Sequence, residues 1–173
     1  RAGVPAPPAE LAGIPVALMV DAGSGQVLYA RQPDLSFVPA SVTKVMTAYV
    51  AFEEMAAGRL SPTRIFSVSP EIARQWTGKG TGLRLAAGTH ISADTLVHAI
   101  TTVSANDASA ALAQGYSGSI TGWAALMNAE ARRLGMTRSH FATPNGWPDN
   151  GATYVSARDL VTLGKALIER HTE

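Results

Sequence analysis

Val38-Pro-Ala-Ser-Val-Thr-Lys-Val-Met-Thr-Ala48 is the segment on which the reading of this chain turns. Past Pro39, the apolar residues Val42, Val45, Met46, Tyr49, Val50 and Phe52 cover most of the circumference of a helix over 41–57, and Gly58 is a natural stop. A helix apolar on nearly every side is predicted to be buried, unlike a surface helix with one inward stripe. Ser41 and Lys44 open it at i, i+3 spacing, so hydroxyl and ammonium share one face within mutual reach. A serine hydroxyl becomes a good nucleophile only when a neighbouring base takes its proton. A lysine can be that base if burial lowers its pKa toward the working pH. The helix N-terminus adds N–H donors and a positive dipole end, which favour a developing oxyanion. The plainer alternative is a serine cap followed one turn later by a solvated lysine. With 13 Ser and 3 Lys in the chain, chance supplies about 0.2 such pairs, so the spacing alone does not decide. The apolar helix around Lys44 argues against the plain reading, because an unpartnered buried ammonium is costly.

Upstream, Ile14, Val16, Leu18 and Val20 alternate with Pro15, Ala17 and Met19, a strand pattern with one strongly apolar face. Asp21-Ala-Gly-Ser-Gly25 signals a turn and Val27–Ala30 resumes as a strand, giving an N-terminal β-hairpin. Residues 1–13, rich in Ala, Pro and Gly, are expected to be a flexible lead-in. Downstream, helices are predicted at 92–101, 106–114, 119–134 and 156–170. Ser92 is expected as an N-cap, Gly135 as a C′ residue and Ser156-Ala-Arg-Asp159 as a capping box. Pro144-Asn-Gly146, Pro148 and Asn150-Gly151 mark the intervening stretch as a loop. No repeat or linker divides the remainder, so 14–173 is read as one domain.

The second chemistry-bearing element is Ser104-Ala-Asn106. A serine hydroxyl can relay a proton, and an asparagine amide can bind a substrate amide. Its plain alternative is an N-cap, Ser104 or Asn106 opening the 106–114 helix. Chance supplies about 0.3 such pairs, so this element is also weak alone. Order and separation strengthen both, since each stands at the entry to a helix.

An S-x-x-K followed by an S-x-N resembles the opening motifs of the penicillin-recognising serine enzymes. The similarity is greatest to the low-molecular-weight D-alanyl-D-alanine carboxypeptidases. Val38–Ala48 resembles their nucleophile segment and Val103-Ser-Ala-Asn-Asp-Ala108 their second motif. Leu134-Gly-Met-Thr-Arg-Ser-His-Phe-Ala-Thr143 and Ser156-Ala-Arg-Asp-Leu160 are further landmarks, and the resemblance runs from about residue 14 to residue 170. It implies an α+β chain with the penicillin-binding-protein/serine β-lactamase-like transpeptidase fold, here its helical part plus the N-terminal hairpin. The implied substrate is a peptidoglycan stem peptide ending in D-Ala-D-Ala, with β-lactams as acylating inhibitors and an extracytoplasmic, for instance periplasmic, setting. Ser41 is then the nucleophile and Lys44 its base. Ser104 passes a proton to the leaving amine, and Asn106 positions the substrate amide with the added task of holding Lys44. No cofactor or metal is implied.

The family's third motif, K-T-G on a later strand, does not occur in 1–173. Lys79-Gly-Thr-Gly82 has the letters in the wrong order and precedes Ser104, so it reads as a glycine-rich loop near the cleft. The later strands of the antiparallel sheet are therefore expected on a companion C-terminal segment, and 14–173 is expected to be an incomplete penicillin-binding catalytic domain. The helix over 41–57 and a marginal two-stranded hairpin both expect more sheet to pack on.

Composition narrows the alternatives. Net charge is +1 with scattered Lys and Arg, giving no basic stripe for nucleic acid. No Cys is present, which removes thiol nucleophiles and disulfides. His90, His98, His140 and His171 lack metal-ligand spacing. A class A β-lactamase needs a Glu on a loop after the second motif, and no Glu lies between Ala131 and Ile168. A serine β-lactamase of the same fold, against which that missing Glu argues, D,D-endopeptidase action, and a non-catalytic muropeptide-binding module stay open as alternatives.

Overall fold

The alternation at 14–20 and the turn at 21–25 fold into an antiparallel hairpin of β1 (Ala17–Val20) and β2 (Val27–Arg31). The computed structural model describes residues 9–171. Asp21 builds the turn by accepting hydrogen bonds from the Ser24 N–H at 2.7 Å and Ser24 Oγ. β1 begins at Ala17, later than the alternation suggested, because Pro15 has no N–H to give a ladder. Leu18 and Val20 are half-buried while Met19 is 59% exposed, so the apolar face is the one the sequence pointed to. Residues 1–8 of the expected lead-in lie outside the described residues. Ala9–Gly13 forms a single 3-10 turn whose Leu11 carbonyl accepts from Arg31 Nη1 at 3.0 Å.

After the two-residue strand β3 (Ser36–Phe37) comes α1 (Thr43–Ala56), followed by β4 (Ile65–Ser67), α2 (Pro70–Trp76), β5 (His90–Ser92) and α3 (Ala93–Thr102). The chain continues through α4 (Asn106–Ser117), α5 (Ile120–Arg133), β6 (Val155–Ser156) and α6 (Ala157–Arg170). Four of the helices match the predicted runs, and their caps follow the side chains. Ser92 Oγ accepts from the Thr95 N–H at 3.1 Å. Gly135, at φ +78°, ends α5 while the Met136 N–H returns to the Ala131 carbonyl, a Schellman pattern. Ser156 Oγ accepts from the Asp159 N–H, but the Asp159 carboxylate turns to the Arg138 N–H and Ser139 Oγ instead of closing a capping box. Only half of that box forms.

Three features escaped periodicity. α2 is a short helix with Ser69 as N-cap and Pro70 at its first position. β4 pairs with β5, and β3 with β6, each over two or three residues, too few for an alternation to register. Among the described residues the strands form three separate two-stranded antiparallel sheets.

The core gathers around α4, which packs on α2, α3, α5 and β4. Ala105, Ala108, Ala110, Ala111 and Ala113 are buried there, and their small side chains let neighbouring helices approach closely. Gly115 extends this logic, because a Cβ on it would lie 2.5 Å from the Phe66 ring. Gly115→Ala is therefore expected to destabilise the fold by about 1–3 kcal/mol through overpacking, despite alanine's better helix propensity. Urea unfolding checks this, and a neutral or stabilising result would refute it. Trp123, Tyr49 and Phe141 fill the rest of the core.

α1 corrects one expectation. It is deeply buried, but not on every side. Val42 is 46% and Val45 37% exposed, and with half-buried Phe52 they leave one apolar strip open.

Candidate active site

Ser41 lies in a 3-10 turn, Ala40–Val42, that leads into α1, with Ala40 held at φ +48°. Non-glycine residues enter this left-handed region only when their surroundings compel it. Lys44, one turn later, is 4% exposed and donates to Ser41 Oγ at 3.0 Å. Its second partner is the Asn145 carbonyl, also at 3.0 Å. No carboxylate pairs with it among the described residues. Burial is then the dominant influence, and it pushes the Lys44 ammonium from 10.5 down to about 8. A buried lysine beside a serine hydroxyl, with only a neutral carbonyl for company, is poised to lose its proton near neutral pH.

The loop 143–147 makes this placement. Thr47 Oγ1 donates to the Pro144 carbonyl at 2.6 Å, one turn beyond the Lys44–Asn145 contact. Gly146, at φ +71°, lies directly against the Ala40 carbonyl and Thr43 Oγ1. The buried Asn145 side chain completes the join. Its Nδ2 donates to the Asn106 carbonyl at 3.4 Å, and its Oδ1 accepts from the Trp147 N–H at 3.0 Å. Asn145 thus ties the Lys44 end of α1 to the start of α4. Sequence reading marked Pro144-Asn-Gly146 only as loop punctuation, because nothing local shows what a loop carbonyl will meet 101 positions away.

Ser104 sits just before α4 at φ +57°, another strained non-glycine residue. It lines a cleft of about 350 Å³ together with Ser41, Lys44, Val45, Phe52 and Ile100. The N-cap of α4 is Ala105, with no side-chain cap, so the capping alternative fails for both Ser104 and Asn106. Asn106 is not among the residues lining this cleft. Its side chain packs behind, against Gly80 and close to Trp147, and its N–H donates to the Thr81 carbonyl at 2.9 Å. The added task expected of Asn106, holding Lys44, falls instead to the Asn145 carbonyl. Ser41, Lys44 and Ser104 come together; Asn106 adjoins them under the glycine-rich loop.

That loop is fastened by Asp107, in the first turn of α4. Its buried carboxylate accepts from the N–H groups of Leu83, Leu85 and Ala108. Gly82 is required at this join, since a Cβ there would come within 2.7 Å of Asp107 Oδ1. Trp147 is 37% exposed and meets Trp76 edge to face at 5.4 Å, beside the glycine-rich loop.

The helical cluster with its flanking hairpin is the helical part of the penicillin-binding-protein fold. D-alanyl-D-alanine carboxypeptidase DacD from Francisella tularensis superposes with a TM-score of 0.85 at 33% identity, over 92% of this chain and 38% of that one. Penicillin-binding protein D2 from Listeria monocytogenes in its ampicillin-bound form has a TM-score of 0.75 at 25% identity, over 92% and 63%. The chain belongs to the D-alanyl-D-alanine carboxypeptidase family of peptidases, whose sequence profile matches residues 6–173. It is 36% identical over 157 residues to D-alanyl-D-alanine carboxypeptidase DacA of Escherichia coli K12, covering 87% of this chain and 38% of the relative. A D-alanyl-D-alanine endopeptidase of Pseudomonas aeruginosa is 33% identical over 169 residues, covering 92% and 52%. The chain thus spans between about two fifths and half of the length of these curated relatives.

Proposed function

We propose that this chain carries the nucleophile of a serine-type D-Ala-D-Ala carboxypeptidase that trims peptidoglycan stem peptides outside the cytoplasm. The observation that carries the reading is the Lys44–Ser41 pair. A buried amine with a depressed pKa lies 3.0 Å from a hydroxyl at a helix entry. In the free-base form the Lys44 lone pair accepts the Ser41 proton as Ser41 Oγ attacks the penultimate D-Ala carbonyl. The tetrahedral oxyanion faces the start of α1, where the Ser41 N–H and the positive helix end oppose its charge. Ser104, in the same cleft, passes a proton to the departing D-Ala amine. Asn106 orients the substrate amide. Water then hydrolyses the acyl-enzyme and regenerates Ser41.

β-Lactams enter the same chemistry as acylating inhibitors, a reading supported by the ampicillin-bound structural relative. A segment bearing the K-T-G motif, absent from residues 1–173, completes the cleft over the open Val42–Val45 strip, with 14–173 as part of one catalytic domain. The endopeptidase relative supports a second reading in which the same acyl transfer cuts cross-links.

Incubating the complete gene product with a fluorescent penicillin tests the proposal. Covalent label on Ser41, lost in Ser41→Ala, is the expected result. A fully folded product that takes up no label would leave a non-catalytic muropeptide-binding module as the better account.

A further inference from the structure

The glycine-rich loop and the end of α2, with Asp107 of α4, line a second cavity of about 770 Å³. Its charged lining consists of Lys79, Arg84 and Asp107. The two cations have no hydrogen bond or ion pair from their side chains to any described residue. Asp107 does not neutralise them by contact, because its oxygens are taken by the backbone N–H groups of Leu83, Leu85 and Ala108.

The way Asp107 is used builds the cavity. One carboxylate captures the N–H groups on both sides of Arg84, at 3.0 Å each. Between the two anchored residues, Arg84 stands at φ +58°. A non-glycine residue in this region is uncommon and costs on the order of 1 kcal/mol or more. Here the strain places an arginine in the cavity lining. Gly78 and Gly80, at φ +70° and +62°, carry the rest of the loop around it. Gly80 also brings the loop onto Asn106 Nδ2 and the Trp147 ring, too close for any side chain. The loop that lines the cavity therefore rests on Asn106, two residues beyond Ser104 of the catalytic cleft.

We propose that this cavity is an anion subsite, in which Lys79 and Arg84 take a free carboxylate of the acidic stem peptide upstream of the scissile bond. The inference rests on the carboxypeptidase reading above and names what would select its substrate. A guanidinium offers a planar two-pronged donor for a carboxylate, and an ammonium beside it adds a second charge-assisted hydrogen bond. Unpaired cations lining a concave surface bind a carboxylate more tightly than they bind its neutral amide.

The test uses Ser41→Ala gene product, which binds without turnover, and two probes: the peptidoglycan pentapeptide stem and the same stem with its side-chain carboxylates amidated. Calorimetry is expected to show roughly tenfold tighter binding of the acidic form, weakening as salt is raised. Lys79→Ala with Arg84→Gln should bring that ratio to about one, whereas Arg132→Ala, an exposed cation on α5, should keep it. Equal binding of the two probes by the parent, or a ratio that survives the double substitution, overturns the subsite. Because this readout needs no acylation, it stands apart from the penicillin-labelling test: label without charge discrimination removes only the subsite. Discrimination without label keeps the subsite and removes the carboxypeptidase reading.

Discussion

Replacing Lys44 by methionine is expected to slow acylation of Ser41 by about 10²–10⁴-fold while leaving the fold intact. Removal of a general base commonly costs about 10²–10⁴-fold, and among the described residues no other amine or carboxylate is in hydrogen-bond contact with Ser41 Oγ. The pH profile makes the assignment specific. Lys44 titrates near 8, so about one molecule in ten holds it as free base at pH 7. The acylation rate of the parent protein should therefore climb about tenfold per pH unit below 8 and level off above it. A profile that is flat between pH 6 and 8 would remove Lys44 as the base. Stability carries the same signature. The folded-state pKa is depressed, so between about 8 and the ordinary 10.5 the unfolded chain binds more protons than the folded one. Stability of the parent should rise across that window by on the order of 1–3 kcal/mol, and Lys44→Met should lack that rise. Parallel denaturant melts at pH 8 and pH 10 measure the difference.

Gly146→Ala is expected to damage stability and chemistry together. Its Cβ would stand 2.6 Å from Thr43 Oγ1 and overlap the Ala40 carbonyl, at a backbone angle of φ +71° that alanine disfavours. The obstacle is backbone, so no side-chain rotation relieves it. The loop must lift from α1, and lifting removes both the Asn145 carbonyl from Lys44 and the Pro144 carbonyl from Thr47. Overpacking against backbone, strain at positive φ and two lost buried hydrogen bonds together are expected to cost about 3–5 kcal/mol. A drop of roughly 6–20 °C in the melting temperature corresponds to that loss for a chain of this size. Acylation should fall as well, because Lys44 loses the contact that aims it at Ser41. A variant with parental melting temperature and acylation rate would show that the loop does not support the site.

The helices over 93–102, 120–133 and 157–170 were legible because each has local punctuation, Ser92 and Ser156 as caps and Gly135 as a stop, whereas 106–117 starts from Ala105 with no side-chain cap. The Ser41–Lys44 pair was legible for a similar reason, since three residues on one helix fix their own geometry. Asn106 was named from the sequence, but its closest dealings are with Gly80 and Asn145, which lie 26 and 39 positions away. The short strands and α2 were not legible, because two or three residues held by a distant partner leave no periodic trace.

Residue spacing by itself thus determined the helix that bears Ser41 and Lys44, the hairpin before it and the family likeness, since all of these depend on contacts within a few positions along the chain. The tertiary structure alone decided what Lys44 rests on, which strip of α1 stays open, and how Asp107 anchors the loop that carries Arg84. Each of those depends on a carbonyl, a carboxylate or an empty space contributed from far along the chain. Hydrogen bonding and exclusion act through space, so only the folded arrangement could settle them.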